Sequence, residues 1–331
     1  MTTRTAEGGG VAPHVVERDY AALTAGAGLL DRSARGKLDV TGPDAAEFLQ
    51  GQVTNDVEAP ASGQGCYAAL LDPKAHILAD MRILSAGPAD LWLDTEPHAL
   101  DAVLQHMRMY KIGRQVEISD RTAERAILSL MGPASAEVAG RVAAVAIPSA
   151  EHEWVDARVG DLPVRITATR AGVDFLTASE GAGALCEALL EAGAQRIGDD
   201  AAEVLRVELG IPRHGVDMGS DNLPGEAGIV ERAVSFTKGC YVGQEPVARM
   251  HHRGRPNRRL RGLRMSAAVP PGQSVMSADR QVGRVTTSVT SPRLGPIGLA
   301  ILRREVEEGD QLVVGDEAVS ATVVELPFDH Q

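Results

Sequence analysis

The secondary-structure pattern changes near Arg264, and this change restricts the folds that the chain can adopt. Up to that residue, stretches with the alternation of β-strands are interspersed with stretches of helical period, which indicates a mixed α+β body. Beyond it the sequence predicts short strands separated by turns at Pro270-Pro271-Gly272, Gly283, Pro292, Gly295-Pro296, Gly309-Asp310 and Gly315-Asp316. We therefore predict an α+β protein with a body over residues 14–264 and a small C-terminal β-barrel over residues 265–331.

Within the body, strands and helices are predicted in alternation after a polar lead-in that begins at residue 14. Tyr67–Leu71 and His76–Leu84 read as two strands joined by a proline turn, and Leu91–Asp94 as another. Apolar residues recur at helical period over Pro97–Tyr110. Further strands are predicted at 36–41, 116–119, 126–130, 164–169 and 175–178, and further helices at 42–49, 133–144 and 182–192.

The composition is that of a soluble globular protein. Hydrophobic residues make up 44% of the 331 residues, which is enough for large cores. No apolar run approaches the roughly 20 residues that span a bilayer, so no membrane segment is predicted. Residues 1–13 are rich in Thr, Gly and Ala and lack the apolar centre of a secretory signal. We expect a disordered tail there, on a cytoplasmic monomer.

Two familiar kinds of site are not predicted. Cys66, Cys186 and Cys240 are far apart and have no ligand-like spacing to histidines, which argues against a disulfide framework, a metal site or a resident iron–sulfur cluster. Gly181-Ala182-Gly183 precedes a predicted helix, but the third glycine of a dinucleotide fingerprint is absent and Glu180 would repel a phosphate.

The densest group of reactive side chains lies at residues 238–249, Lys-Gly-Cys-Tyr-Val-Gly-Gln-Glu-Pro-Val-Ala-Arg. Its two glycines permit a tight turn that exposes the thiol of Cys240. Lys238 is placed to stabilise the thiolate, which is the nucleophilic form. The alternative is a glycine-bounded hairpin whose cysteine packs inside. His251 and His252 follow closely and are interpreted as solvated loop residues rather than bases.

Glu208 is the second candidate. A helix is predicted to begin at a capping box of Asp200 and Glu203 and to end at Gly210. Glu208 then lies in the last turn, about 40° from Val204 on the helical wheel and so on the apolar side. Partial burial and the negative end of the helix dipole both disfavour a carboxylate there. Glu208 therefore needs a partner, either a ligand or an internal arginine.

A basic run follows the thiol motif. It contains no acid and consists of Arg249, His251, His252, Arg253, Arg255, Arg258, Arg259, Arg261 and Arg264. On a chain with a formal net charge of −12, such a patch attracts an anion selectively. An anionic cofactor tail, an acidic protein or RNA would suit it, and a solvated arginine-rich loop is the alternative. Binding to RNA would show as a steep loss of affinity with salt.

The motif Lys-Gly-Cys-Tyr-x-Gly-Gln-Glu at 238–245 resembles that of the YgfZ family, folate-binding relatives of the glycine-cleavage T-protein. The segment Leu205-Arg-Val-Glu-Leu-Gly resembles the superfamily's Leu-Arg-x-Glu-x-Gly stretch. Weaker likenesses occur near the start, at residues 29–33, 42–56, and in the barrel, at residues 283–288 and 298–304. The resemblance covers roughly residues 15–326.

This resemblance implies a T-protein-like arrangement of three domains: a mixed α/β folate-binding domain, a ferredoxin-like α/β domain and the C-terminal barrel. The first two are expected to interleave, with boundaries near residue 60 and between 120 and 200. It also implies that tetrahydrofolate or another reduced folate is the cofactor, with Glu208 binding the pterin and Cys240 as the functional thiol. The remaining folate contacts are assigned to Tyr241, Gln244, Glu245 and Arg249.

Two functions are compatible with the resemblance. YgfZ relatives support iron–sulfur cluster assembly or repair and, through it, tRNA modification, with iron–sulfur proteins as partners. T-proteins are aminomethyltransferases that act near an acidic pair, and this chain has Ala79 followed by Asp80 where they usually have two acids. The motif at Cys240 favours the first function. The alternative is a folate-dependent aminomethyl or other one-carbon transferase in which Asp80 is the acid or base.

Overall fold

The computed structural model describes residues 13–254 and 256–328. The helices are α1 (Pro13–Ala25), α2 (Ala45–Gln50), α3 (Leu100–Tyr110), α4 (Ser135–Val142), α5 (Ala182–Glu191), α6 (Asp199–Glu208), α7 (Val230–Ala233) and α8 (Gln244–Arg253). The strands are β1 (Gly28–Asp31), β2 (Gly36–Thr41), β3 (Gln64–Leu71), β4 (Ile77–Gly87), β5 (Asp90–Thr95), β6 (Glu117–Asp120), β7 (Arg125–Met131), β8 (Trp154–Val159), β9 (Leu162–Thr169), β10 (Gly172–Ala178), β11 (Gln195–Arg196), β12 (Arg258–Met265), β13 (Ser274–Ser277), β14 (Arg280–Ser291), β15 (Gly295–Arg303), β16 (Gln311–Val314) and β17 (Val319–Val324).

The body contains two sheets that share the chain in an interleaved order. The six-stranded sheet has the order β11-β1-β7-β10-β9-β8, and the five-stranded sheet has the order β3-β4-β5-β2-β6. The chain lays down β1 in the first sheet, leaves to build the whole of the second, and returns at β7. Because β1 pairs with both β7 and β11, the two sheets cannot be separated by a single cut in the chain.

The C-terminal module is a closed barrel with the strand order β12-β15-β14-β13-β16-β17. Its interior is filled by aliphatic side chains that include the fully buried Leu263, Val275, Val285 and Leu302. The barrel packs on α6 through a second apolar cluster around Val207 and Phe328. The predicted fold class, an α+β body followed by a small barrel, is confirmed.

The first helix was not predicted. The residues that form α1 were expected to be a polar lead-in. Its stability comes from tertiary contacts: Leu23 packs on α6, and the Tyr20 hydroxyl donates to Glu208 at 2.9 Å. The predicted disordered tail lies outside the described residues, except for Pro13, where α1 begins.

Two further local predictions need correction. The capping box at Asp200 does not form, since α6 begins one residue earlier, and Glu203 instead binds Arg206 at 2.6 Å. The segment after the thiol motif is a helix, α8, rather than a loop. Gly243 precedes it with φ +82, and a Cβ at this position would lie 2.6 Å from the Asp72 carbonyl oxygen, so only glycine fits this turn.

No helix among the described residues is long and apolar enough to cross a membrane.

Candidate functional site

The alternation of β3 and β4 separates an apolar face of the five-stranded sheet from a face that carries functional groups. Ala79 and Met81 are fully buried in the cluster that packs under α2 and α3. Asp80 and Arg82 alternate with Ala79 and Met81 along β4. Their side chains therefore point to the opposite face of the sheet. Tyr67 of β3 is paired with Arg82 in the sheet register and shares that face.

The two carboxylate oxygens of Asp80 differ in their contacts with the described residues. Its Oδ2 accepts a hydrogen bond from the Tyr67 hydroxyl at 2.7 Å. Its Oδ1 is shut off from solvent and has no hydrogen-bond partner among the described residues. Burial raises the pKa of Asp80, against the opposing effect of the Tyr67 hydrogen bond and the charge of Arg35. A buried carboxylate with an open acceptor is equipped to bind N–H donors or to exchange a proton.

A chain of ion pairs surrounds Asp80 and joins the two sheets. Arg82 donates to Asp94 at 2.6 Å and to Asp174, on β10 of the six-stranded sheet, at 2.7 Å. Arg35 also donates to Asp94, at 2.7 Å, and to Glu96 at 2.5 Å. Although burial opposes ionisation of Asp94, the charges of Arg82 and Arg35 hold its pKa well below the usual range. The interface between the two sheets therefore contains charged side chains that are joined in ion pairs.

Lys238 anchors the thiol motif. Its ammonium group donates to the main-chain carbonyl oxygens of Gln50, Val53 and Asn55 at 2.6, 2.7 and 2.7 Å. All three N–H groups are thus committed to the loop after α2, and burial lowers the pKa of Lys238 to about 8. This geometry gives Lys238 a structural role in place of the predicted stabilisation of the Cys240 thiolate.

The other motif residues divide between core and surface. Cys240 is exposed and its thiol is free, whereas Tyr241 is buried on the same face of β3 and β4 as Asp80. Burial raises the pKa of Tyr241 to about 12. Glu245 and Arg249 of α8 form an exposed ion pair at 2.5 Å, one turn apart. The structure therefore leaves Cys240, Glu245 and Arg249 at the surface, whereas Oδ1 of Asp80 is buried.

A cavity of about 320 Å³ lies behind α8. Its walls are mostly apolar and include Leu223, Pro246, Val247 and Met250. At its edge the half-exposed ring of Phe236 stacks on His251, with ring centres 3.9 Å apart. His251, interpreted from the sequence as a solvated loop residue, thus lines a cavity, although it is exposed.

The basic run does not form a purely cationic surface. Arg259, Arg261 and Arg304 line a cavity of about 550 Å³ together with four glutamates, Glu305, Glu307, Glu308 and Glu325. Arg261 is ion-paired with Glu325. The predicted anion site is therefore neutralised on the barrel, because the loop after β15 and the residue that follows β17 bring acids to these arginines. Arg255 lies outside the described residues.

Glu208 has internal partners for both carboxylate oxygens. The Tyr20 hydroxyl lies 2.9 and 3.0 Å from the two oxygens, Ser291 donates to Oε1 at 2.5 Å and Arg293 to Oε2 at 3.3 Å. The carboxylate is almost fully buried between α1 and the barrel. The requirement for a partner was thus predicted from the helical wheel. An internal arginine was one of the two partners expected, and Arg293 is one, whereas Tyr20 and Ser291 were not predicted.

The sequence did not point to Tyr67, Arg35 and His214, whose hydrogen bond or charge acts on Asp80, or to His98, which contacts His214. The alternation of β3 would have placed Tyr67 beside Asp80, had the strand pairing been known. The two histidines, by contrast, carry no local signal. Among the described residues no group of three or more His, Cys, Asp and Glu side chains is arranged to hold a metal ion.

Comparison with known proteins covers almost the whole chain. A family model described as the GCVT N-terminal domain matches residues 10–238, and one described as the glycine cleavage T-protein C-terminal barrel domain matches residues 258–329. Residues 239–257 fall between the two matches. This intervening segment contains Cys240 and all of α8.

Similar proteins are named as transferases. An aminomethyltransferase of Rubrobacter xylanophilus is 30% identical, with the match covering 95% of this chain and 86% of that protein. A putative chloroplastic transferase of Arabidopsis thaliana is 27% identical over 91% of this chain and 71% of its own. The crystal structure of the glycine cleavage system aminomethyltransferase T from Bartonella henselae has a TM-score of 0.86 and 23% identity, covering 96% of this chain and 91% of that one. At this identity the structural match shows the fold.

Proposed function

The chain belongs to the glycine cleavage T-protein family, and from this we propose that it is a tetrahydrofolate-dependent one-carbon transferase of the aminomethyltransferase type. Tetrahydrofolate is the cofactor of this family, as the sequence analysis predicted. In the proposed reaction an aminomethyl group on a carrier thiol gives its methylene carbon to tetrahydrofolate and its nitrogen leaves as ammonia. Asp80 is the acid or base beside the reacting nitrogens.

The observation that carries this proposal is the free, buried oxygen of Asp80. An unpartnered buried carboxylate oxygen destabilises the protein unless a ligand or water satisfies it. Reduced folates carry N–H donors along the pterin ring, which suit a carboxylate acceptor. The raised pKa of Asp80 also brings a carboxylic acid closer to the range in which proton transfer is efficient. The residues present therefore fit a reduced folate.

Ala79 does not weaken the proposal. Ala79 stands where T-proteins usually have the first of two acids, and the loss of that acid could abolish the transfer reaction. In the structure the side chain of Ala79 is fully buried in the apolar cluster under α2 and α3, on the face of β4 opposite to Asp80. The acid that faces the interface between the sheets is retained.

Glu208 remains the second candidate for the pterin edge. Its oxygens already accept from Tyr20, Ser291 and Arg293, so a pterin would have to replace some of these donors. Asp80 needs no such exchange, because Oδ1 accepts no hydrogen bond from the residues that the structure describes. Calorimetry of tetrahydrofolate binding to Asp80→Asn and Glu208→Gln would show which carboxylate the pterin contacts.

Turnover tests the proposal directly. The protein is incubated with an aminomethyl-lipoyl carrier protein and tetrahydrofolate, and ammonia is measured. We expect release of ammonia that depends on tetrahydrofolate, is lost in Asp80→Asn by about 100-fold or more, and is retained in Asp101→Asn, an exposed position on α3. Absence of ammonia from wild-type protein that binds tetrahydrofolate would refute the aminomethyltransferase reaction.

Cys240 supports a second function, a folate-dependent role in iron–sulfur cluster assembly or repair. Its thiol is exposed on a loop held by Lys238 and Gly243, in the segment that neither family model matches. Under this function Cys240→Ala fails to restore iron–sulfur enzyme activity in a strain that lacks the gene, while the protein still folds and binds tetrahydrofolate. Cys186→Ala, a change at a buried thiol, restores it. Full restoration of iron–sulfur enzyme activity by Cys240→Ala would refute this second function.

A further inference from the structure

Two stacked histidines form a hydrogen bond in which one ring is at the protein surface and the other is buried. His98, just before α3, is exposed to solvent, and its Nε2 lies 2.9 Å from Nδ1 of His214. The two rings are nearly parallel, with an interplanar angle of 6°. His214 is itself buried, with 7% of its surface exposed. The hydrogen bond between them therefore leads from solvent into the protein.

The inner end of this pair is open. Nε2 of His214 is buried and, like Oδ1 of Asp80, has no hydrogen-bond partner in the described part of the chain. Burial lowers the pKa of His214, and the negative charge of Asp80 opposes that shift. The positive charge of His214 in turn acts to lower the pKa of Asp80. The pKa of Asp80, of His214 or of both is also affected by five further groups, which are Glu96, Arg35, Tyr67, His98 and the Ile77 carbonyl.

Gly215 permits the close packing of the pair. Its φ is +79, and a Cβ at this position would lie 2.4 Å from Nε2 of His98. A side chain here would displace the nitrogen that contacts His214. The backbone next to His214 is thus shaped to let His98 approach.

We propose that His98 and His214 form a proton-transfer path between solvent and the Asp80 carboxyl group. This inference rests on the proposed function, since it provides the proton exchange that acid–base chemistry at Asp80 requires. A water or a polar ligand atom placed between Oδ1 of Asp80 and Nε2 of His214 would complete the connection.

The proton balance of the path is simple. A proton released by the Asp80 carboxyl group is taken up at Nε2 of His214, which gives its Nδ1 proton to Nε2 of His98, and His98 releases its own Nδ1 proton to solvent. Asp80 ends ionised, and both imidazoles end neutral as the Nε2–H tautomer. Transfer in the opposite direction restores the initial tautomers, so a reaction that first releases and later takes up a proton returns the path to its starting state.

The first test is independent of catalysis. Protein with ¹⁵N-labelled histidine is titrated by NMR, and His214 is followed in wild type, Asp80→Asn and the control His106→Ala, whose imidazole contacts Gln52 instead. We expect the His214 midpoint to fall by about half a unit or more in Asp80→Asn, because the carboxylate that favours the imidazolium is gone, and to stay in place in the control. If His214 remains neutral throughout, its ¹⁵N tautomer shifts are compared instead. Identical His214 behaviour in wild type and Asp80→Asn overturns the proposal even where tetrahydrofolate binds.

The second test measures turnover. His98→Ala is expected to lower kcat about tenfold or more without changing KM for tetrahydrofolate, and imidazole added to the buffer is expected to restore kcat with saturation. His106→Ala keeps both parameters. Full kcat in His98→Ala, with no response to imidazole, overturns the path. A lack of turnover in wild type refutes the proposed function and leaves the NMR comparison to decide the path.

Discussion

Tyr67→Phe isolates the hydrogen bond that holds the Asp80 carboxylate. The change removes one hydroxyl and keeps the ring, which packs under the Arg232 guanidinium at 4.9 Å. The lost bond, from the Tyr67 hydroxyl to Oδ2 at 2.7 Å, favours the ionised form of Asp80. A hydrogen bond to a charged group contributes about 1.5 to 3 kcal/mol. At about 1.4 kcal/mol per unit, the pKa of Asp80 should rise by roughly one to two units.

The assay is an NMR titration of protein with ¹³C-labelled aspartate carboxyl groups, in which Asp80 is assigned by its absence from Asp80→Asn. Tyr241→Phe, which removes a hydroxyl from the neighbouring apolar cluster, serves as the matched control and should leave the midpoint unchanged. Stability gives a second measure. Tyr67→Phe should have nearly the same free energy of unfolding as wild type at a pH where Asp80 is protonated. The loss of stability in Tyr67→Phe should grow as pH rises through the folded-state pKa of Asp80. An Asp80 midpoint that is the same in Tyr67→Phe and wild type refutes the assigned geometry.

Three further changes test the framework of the site. Lys238→Met should lower the free energy of unfolding in urea by about 3 kcal/mol, because three carbonyl oxygens lose their donor, and a midpoint equal to wild type would contradict the anchoring role. Burial lowers the pKa of His152 to about 4 from an ordinary 6.5. As pH falls between these values, the unfolded state binds a proton before the folded state does, and wild type loses up to about 3 kcal/mol of stability. His152→Gln should reduce this loss of stability on acidification. Glu208→Gln should lower the thermal midpoint, since Tyr20 and Ser291 lose a charged acceptor, and an unchanged midpoint would show that these bonds contribute little.

Local patterns predicted the fold class because both the mixed body and the barrel follow from periodicity and turn residues. They missed α1, whose stability depends on contacts with α6 such as that between Tyr20 and Glu208, 188 positions apart. They also missed α8, which lies in a segment interpreted from the sequence as a solvated loop and which packs through Val247 on the apolar cluster around Tyr241. In each case the deciding interaction is a tertiary contact that no short stretch of sequence contains.

The site was predicted in part for the same reason. Asp80 was found through the family resemblance, and the buried position of Glu208 through the helical wheel. The assignment of Lys238 to the Cys240 thiolate relied on proximity in sequence, whereas its three acceptors lie at least 183 positions away. The pairing of His98 with His214, 116 positions apart, requires the folded chain. Sequence spacing identified which groups are reactive, and the fold determines which of them meet.

Calorimetric titration with tetrahydrofolate tests most directly the claim that a reduced folate binds beside Asp80. We predict that wild-type protein binds tetrahydrofolate and that Asp80→Asn binds it at least about tenfold more weakly, the equivalent of one hydrogen bond to a charged group. Cys240→Ala should bind like wild type, because its side chain is on the exposed loop. Equal affinity of wild type and Asp80→Asn, or wild-type protein that does not bind tetrahydrofolate, would contradict the account.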